Sequence, residues 1–203
     1  MGAIEKIQKR YNRNAKFYDF MESMMEKGKM GEWRKNLWKE AQGKVLEVGV
    51  GTGQNIIYYP ENSDITAIDF SERMLEKAKE KADKSGRKVD FRLMNVQKLD
   101  FPDNTFDTVV TTCVFCSVPD PVKGLMEIKR VCKDNGKIIM LEHVKSQKRV
   151  LGHLMDLFNP LSVVIAGANI NRDTIGNLKK AGLTVRVENN LMMDIVKYIA
   201  CSK

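Results

Sequence analysis

What the chain lacks excludes several classes of protein before any motif is considered. No apolar run approaches the roughly 18 uninterrupted residues of a membrane-spanning helix, so an integral helical membrane protein is not expected. The opening MGAIEKIQKR has no apolar core of the kind a secretory leader carries, which predicts a cytoplasmic protein. Gly2 is followed at position 6 by Lys6 rather than Ser or Thr, and this removes N-myristoylation. With two histidines in 203 residues and no second C-x-x-C, nothing requires a bound metal. The single pair, Cys113-Val-Phe-Cys116, ends a β-rich run and is read as buried free thiols, which behave as small apolar side chains. Aromatic residues make up 7% and none alternates with arginine in a stacking pattern, which argues against single-stranded RNA as a substrate.

What is present suits one globular domain: 43% hydrophobic and 30% charged residues are ordinary values, and the length allows a sizeable core. The net charge of +8 leaves three readings open, namely nucleic acid, an anionic membrane surface, or a solvated lysine-rich exterior.

The chain is organised around residues 44–53, KVLEVGVGTG. Val45, Leu46 and Val48 form the short apolar run of a strand buried on both faces. Gly49, Gly51 and Gly53 follow at alternate positions, where the absence of a Cβ permits positive φ and close approach of a ligand. Residues 54–59 read as the first turns of a helix. The dinucleotide pattern G-x-G-x-x-G would need a glycine at position 54, where Gln54 stands, and the Gly-Lys-Ser/Thr of a P-loop is absent. Glu47, two residues ahead of the first glycine, would repel a pyrophosphate and suits a cationic ligand. About one βα unit later, residues 64–69 read as a second strand ending in Asp69, where an acid accepts hydrogen bonds from ribose hydroxyls.

Taken in order, residues 4–25 carry an apolar stripe at helical spacing that includes Tyr11 and Tyr18, with lysines and arginines on the other faces. Such a segment either lies on anionic lipid or docks on the domain with its basic face in water. A helix resumes over 32–41, closed by Gly43. Ser71 is the expected N-cap of a helix reaching about residue 86. Residues 89–94 and 106–114 read as the third and fourth strands. A helix with Pro121 at its first position runs to residue 133, and a turn at 134–136 feeds a fifth strand over 137–143. Residues 150–170 read as one helix plus a loop that covers the site or touches an apolar acceptor. A last helix over 173–181 precedes two hairpin-paired strands at 183–188 and 193–201. Strands alternating with helices predict an α/β fold with a mostly parallel sheet covered on both faces.

Glu47-x-Gly49-x-Gly51-x-Gly53 together with Asp69 resembles class I S-adenosylmethionine-dependent methyltransferases. The resemblance implies a Rossmann-like seven-stranded sheet with the last strand antiparallel. It divides the chain into an N-terminal helical lid over 1–42 and a cofactor-binding domain over 43–203. It implies that the glycine turn faces the methionine moiety, Asp69 the ribose, and Phe70 and Met74 the adenine. Asn95 and Val96 close the third strand, where Asn95 takes the place of the Asp that many relatives direct at the adenine amino group. Cys113 lines the floor, and Tyr18, with Tyr11 on the same stripe, is carried over the methionine end. Methyl transfer needs a base only where the acceptor carries a proton, and His143, at the end of the fifth strand, is the candidate, ahead of His153.

Residues 99–107, 118–125 and 127–131, with Tyr18-Asp19, are similar to the ubiquinone/menaquinone C-methyltransferases. Glu142-His143-Val144 and Asn169-Ile-Asn-Arg172 look more like the membrane-associated small-thiol methyltransferases. Val48-Gly-Val-Gly-Thr-Gly53 resembles the bacterial phospholipid N-methyltransferases. The common implication is a small or lipophilic acceptor, with peripheral membrane contact and S-adenosylhomocysteine as product. An RNA-modifying enzyme or a non-catalytic cofactor-binding protein are the alternatives. Nucleic acid bases are disfavoured because Cys113-Val-Phe-Cys116 stands where amino-group nucleic acid methyltransferases carry Asn/Asp-Pro-Pro-Tyr/Phe.

Overall fold

A computed structural model describes residues 26–203 apart from residue 166. The lid expected over the first 25 residues, with Tyr11 and Tyr18, lies outside the described residues.

Seven strands form one sheet: β1 (Lys44–Val48), β2 (Asp64–Asp69), β3 (Asp90–Leu93), β4 (Phe106–Thr112), β5 (Cys132–His143), β6 (Thr184–Met192) and β7 (Val196–Ser202). Their spatial order is β3-β2-β1-β4-β5-β7-β6. The first five run parallel, and β7 pairs antiparallel with both β5 and β6. This is the Rossmann-like sheet expected from the sequence. The order reverses between β1 and β4, so the carboxyl ends of these two strands splay loops in opposite directions and open a crevice.

Strand periodicity builds two cores from the same residues. Leu46, Val48, Val109, Ile138 and Met140 point to one face, where Leu125 and Ile128 of α3 (Pro121–Val131) cover them. Val45, Ala67, Val110, Ile139 and Leu141 point to the other, under Leu37 and Trp38 of α1 (Gly31–Trp38) and Leu75 and Ala78 of α2 (Glu72–Ser85). Leu37, Trp38 and Ala41 thus share a core with β1, and packing runs without a break across residues 42 and 43.

The helix caps follow the chemistry of their residues. The Ser71 hydroxyl accepts from the Met74 amide, and Gly86 closes α2 at φ 67°. Asp120 caps α3 by accepting from Lys123 N, with Pro121 inside the first turn. α4 (Arg149–Ile165) runs through Pro160, and α5 (Thr174–Lys180) is capped by Asp173.

Two local expectations are corrected. Residues 54–59 form turns and a short 3-10 segment, Ile56–Tyr58, rather than an opening α-helix. Tyr59 precedes Pro60 and is held extended at ψ 133°, because the proline ring disfavours helical backbone in the residue before it. α3 ends at Val131, and the turn expected at 134–136 is a bulge inside β5. The pairing steps from Phe106 with Cys132 to Thr108 with Lys137, which leaves three extra residues on the β5 side.

Candidate active site

The carboxyl ends of β1 and β2 bring the glycine turn beside Asp69. The three glycines, alike in the sequence, have different surroundings. A Cβ on Gly49 (φ 71°) would stand 2.6 Å from Val114 Cγ2, so this glycine lets the loop after β4 rest on the turn. A Cβ on Gly53 (φ 84°) would meet Ile56 Cδ1 at 2.6 Å and Ala78 Cα at 3.0 Å, so this glycine lets α2 pack against the turn. Around Gly51 (φ 56°) a Cβ would meet nothing within 4 Å. Gly51 alone of the three combines a positive φ with open space in front of it.

Asp69 is 5% exposed and ties the turn down. One carboxylate oxygen accepts from Gly51 N at 2.9 Å, and the other accepts from Ser71 N at 2.9 Å. Phe70 is half-buried at the edge of this cradle, and Met74 is buried in the first turn of α2. The Asn95 side-chain carbonyl accepts from Gln97 N at 3.0 Å, while Val96 packs into the core against Gly124.

Glu47 does not face the crevice. It is wholly buried, and its two oxygens accept from Asn55 Nδ2 and the Tyr59 hydroxyl. Asn55 in turn accepts from Arg34 at 2.7 Å and reaches Thr112 Oγ1 at 3.1 Å. Burial pushes the Glu47 carboxyl up to about 7; its bonds to Asn55 and Tyr59 and the Arg34 charge pull the other way. Burial likewise raises the Tyr59 phenol, and the Glu47 charge adds to it, so the phenol keeps its proton and donates. This network pins the 3-10 segment beneath the turn. The sequence named Glu47 but gave no sign of Arg34, from α1, or of Asn55 and Tyr59, which flank the 3-10 segment.

A second region opens at the carboxyl ends of β4 and β5. A cavity of about 710 Å³ is walled largely by apolar groups, among them Met30, Trp33, Ile170, Leu191, Met193 and Val196. Cys113, Cys116 and His143 also line it. Cys113 sits at φ 54°, a left-handed conformation that costs a non-glycine residue energy and is met at constrained sites. Its neighbour Val114 rests on Gly49, so the cavity and the glycine turn share a wall. Burial lowers the His143 pKa below its ordinary 6.5, so its ring is neutral at pH 7. The Cys116 thiol is pushed up to about 11 by burial and the nearby Glu142 charge, and it stays protonated.

Glu142, which the sequence offered only as part of a resemblance, holds the loop that separates the two regions. It is wholly buried and accepts from Thr111 Oγ1 at 2.7 Å, Val114 N at 3.2 Å and Phe115 N at 3.3 Å. Asn169 and Arg172 brace the same loop: Asn169 Nδ2 donates to Cys116 O at 3.0 Å and Arg172 to Val118 O at 2.9 Å. His153, by contrast, is exposed on α4, with its ring against Arg149 O at 2.6 Å, and lies outside the cavity lining.

Comparison with known proteins places this geometry. Residues 46–140 match the family model described as a methyltransferase domain. A phosphatidylethanolamine N-methyltransferase from Cereibacter sphaeroides is 42% identical over 108 residues, which are 52% of this chain and 53% of that protein; the match spans about half the length of that relative. A ubiquinone/menaquinone biosynthesis C-methyltransferase from Bdellovibrio bacteriovorus is 31% identical over 162 residues, 76% of this chain and 69% of that protein. The crystal structure of an S-adenosylmethionine-dependent methyltransferase from Thermotoga maritima superposes with a TM-score of 0.72 at 20% identity, covering 95% of this chain and 98% of that one, and shares its fold. Gly51, with free space at the strand end and a carboxylate holding its amide, fits the close approach of a cofactor there. The chain belongs to the S-adenosylmethionine-dependent methyltransferases.

Proposed function

We propose that this methyltransferase acts on a lipophilic acceptor (a phospholipid amine, a quinol precursor or a thiol) taken into the cavity at the ends of β4 and β5. The observation that carries the reading is the apolar wall of that cavity, about 710 Å³ in volume and lined by Cys113, whose neighbour Val114 rests on the glycine turn. An apolar pocket with few polar groups favours ligands that leave water readily. The relatives named above for phosphatidylethanolamine and for ubiquinone/menaquinone agree with such an acceptor.

S-adenosylmethionine supplies a methyl group already activated by positive sulfur, so the protein contributes orientation and exclusion of water. Gly49, Gly51 and Gly53 shape the seat for the methionine end. Asp69 takes the ribose hydroxyls, Phe70 and Met74 flank the adenine, and Asn95 and Val96 close its far side. Glu47 acts from beneath, by fixing Asn55 and Tyr59 under the turn. Cys113 stands between donor and acceptor. His143, neutral at pH 7, takes the proton from an acceptor that carries one. The test is transfer of label from the methyl-labelled cofactor to phosphatidylethanolamine vesicles, a quinol precursor, a small thiol and RNA in parallel. Label should enter the organic-extractable fraction; label only in RNA, or in none of the four, contradicts the reading.

A further inference from the structure

We propose that the outer face of α4 is the surface by which this enzyme rests on an anionic bilayer. The inference rests on the lipophilic-acceptor reading and says where such an acceptor is collected. Val150, Leu154, Leu157, Phe158, Leu161 and Ile165 are 45% to 76% exposed. At 100° per residue they fall within an arc of about 100° on one side of the helix. Gly152 and Met155, outside this arc, are the residues α4 buries against the domain. An apolar face of this size is unusual on a protein that meets only water.

Two further observations point to a bilayer. The first is charge. No charged side chain lies within the arc; the one acid of α4, Asp156, lies off it and is paired with Lys145 at 2.7 Å. Lys148 and Arg149 stand exposed at the start of the helix, with Asp194 near enough to Lys148 to feel its charge. An apolar helix face flanked by cations is the pattern of a helix lying in the interface of an anionic membrane. The second is continuity with the acceptor site. Three residues past the end of α4, Ala168 begins the segment 168–170 that lines the cavity, and Met193, 57% exposed, lines it from the β6–β7 turn. The 168–170 segment folds back on α4 through Ser162 and Asn159, so the helix that carries the apolar face also braces a wall of the cavity it would serve.

The test is cosedimentation of the full chain with phosphatidylcholine vesicles containing about one third phosphatidylglycerol, an anionic fraction that attracts basic groups. Wild-type protein should bind, and a Leu157→Ser, Leu161→Ser variant should bind about tenfold less, since each leucine loses its burial in lipid. S-adenosylhomocysteine affinity should not change, which confirms that the variant is folded. Separately, Leu157→Trp should show a vesicle-dependent blue shift in fluorescence and quenching by brominated lipid beyond that of the wild type. Equal vesicle binding by the serine variant, or no quenching at position 157, overturns the proposal. So does absence of vesicle binding together with a dimer that the serine variant converts to monomer, because a second copy then covers the face. Binding through α4 without label transfer to any lipophilic acceptor would leave the surface standing and remove the acceptor reading instead.

Discussion

The two sides of the crevice are built by opposite rules. At the ends of β1 and β2 the site is a tight polar turn, with every group held by a backbone or side-chain bond: Asp69 to Gly51 and Ser71, Glu47 to Asn55 and Tyr59. At the ends of β4 and β5 it is a roomy apolar cavity assembled from α1, the loop after β4, the 168–170 segment and the β6–β7 turn. A side of the first kind suits one molecule whose polar shape is fixed, and most of its groups come from neighbouring positions of the chain. A side of the second kind suits an apolar ligand that needs only volume and dryness, which side chains from distant segments supply together. The first side is held by hydrogen bonds and the second by packing.

The sharpest way to break this contrast is within the glycine turn. Gly51→Val should abolish detectable S-adenosylhomocysteine binding in calorimetry, because its Cβ enters the open space. Its cost to folding should be about 1–2 kcal/mol, that of a non-glycine residue in the left-handed region. Gly53→Val should reverse the balance: contacts of 2.6 Å to Ile56 and 3.0 Å to Ala78 Cα force a repacking that lowers the melting temperature more than Gly51→Val does. If Gly51→Val binds normally, the turn does not face the ligand.

Asp69→Ala comes next. It should weaken S-adenosylhomocysteine binding by about 1.5–3 kcal/mol, the range for hydrogen bonds to a charged group. The variant also loses the bonds to Gly51 N and Ser71 N, so a modest fall in melting temperature should accompany the loss of affinity. Unchanged affinity would place the ribose elsewhere.

The smallest effect is in stability against pH, and it concerns Glu47. Burial raises its carboxyl from 4.5 in the unfolded chain to about 7 in the fold. Its contribution to stability is therefore complete below 4.5 and is lost as pH rises through 7. Glu142, raised by burial to about 7 as well, acts in the same direction. Denaturant midpoints should fall between pH 5 and pH 7.5, and Glu47→Gln should flatten that fall. A steeper fall in the variant would mean that Glu47 is ionised in the folded state throughout.

The same division explains how far the sequence could be read. The sheet was legible because buried parallel strands write themselves as runs such as Val45-Leu-Glu-Val48 and Phe106-Asp-Thr-Val-Val110, punctuated by the Ser71 cap and by Pro121 at a helix start. The glycine turn was legible as a spacing, though not the separate reasons for its three glycines, which depend on Val114, Ile56 and Ala78 arriving from elsewhere. The Glu47 network escaped because Arg34, Asn55, Tyr59 and Thr112 share no pattern along the chain. The cavity escaped for the same reason. Trp33 read only as part of a helix, Leu191 and Met192 only as the connection between two strands, and Met193 only as the start of the last one. The exposed face of α4 escaped because residues 150–170, rich in Leu, Val, Ile and Gly and interrupted by Pro160, show no clean period along the sequence.

The account stands most directly on whether the apolar cavity receives the acceptor while the glycine turn receives the cofactor. Trp33 lines the cavity, is half-buried, and lies on α1, where Arg34 rather than Trp33 makes the bond to Asn55 beneath the glycine turn. Measuring both constants on Trp33→Ala separates the two sides. The account predicts a KM for the lipophilic acceptor raised by about tenfold or more, from the apolar contact removed, with the dissociation constant for S-adenosylhomocysteine unchanged. An unchanged acceptor KM beside a weakened S-adenosylhomocysteine constant would contradict it.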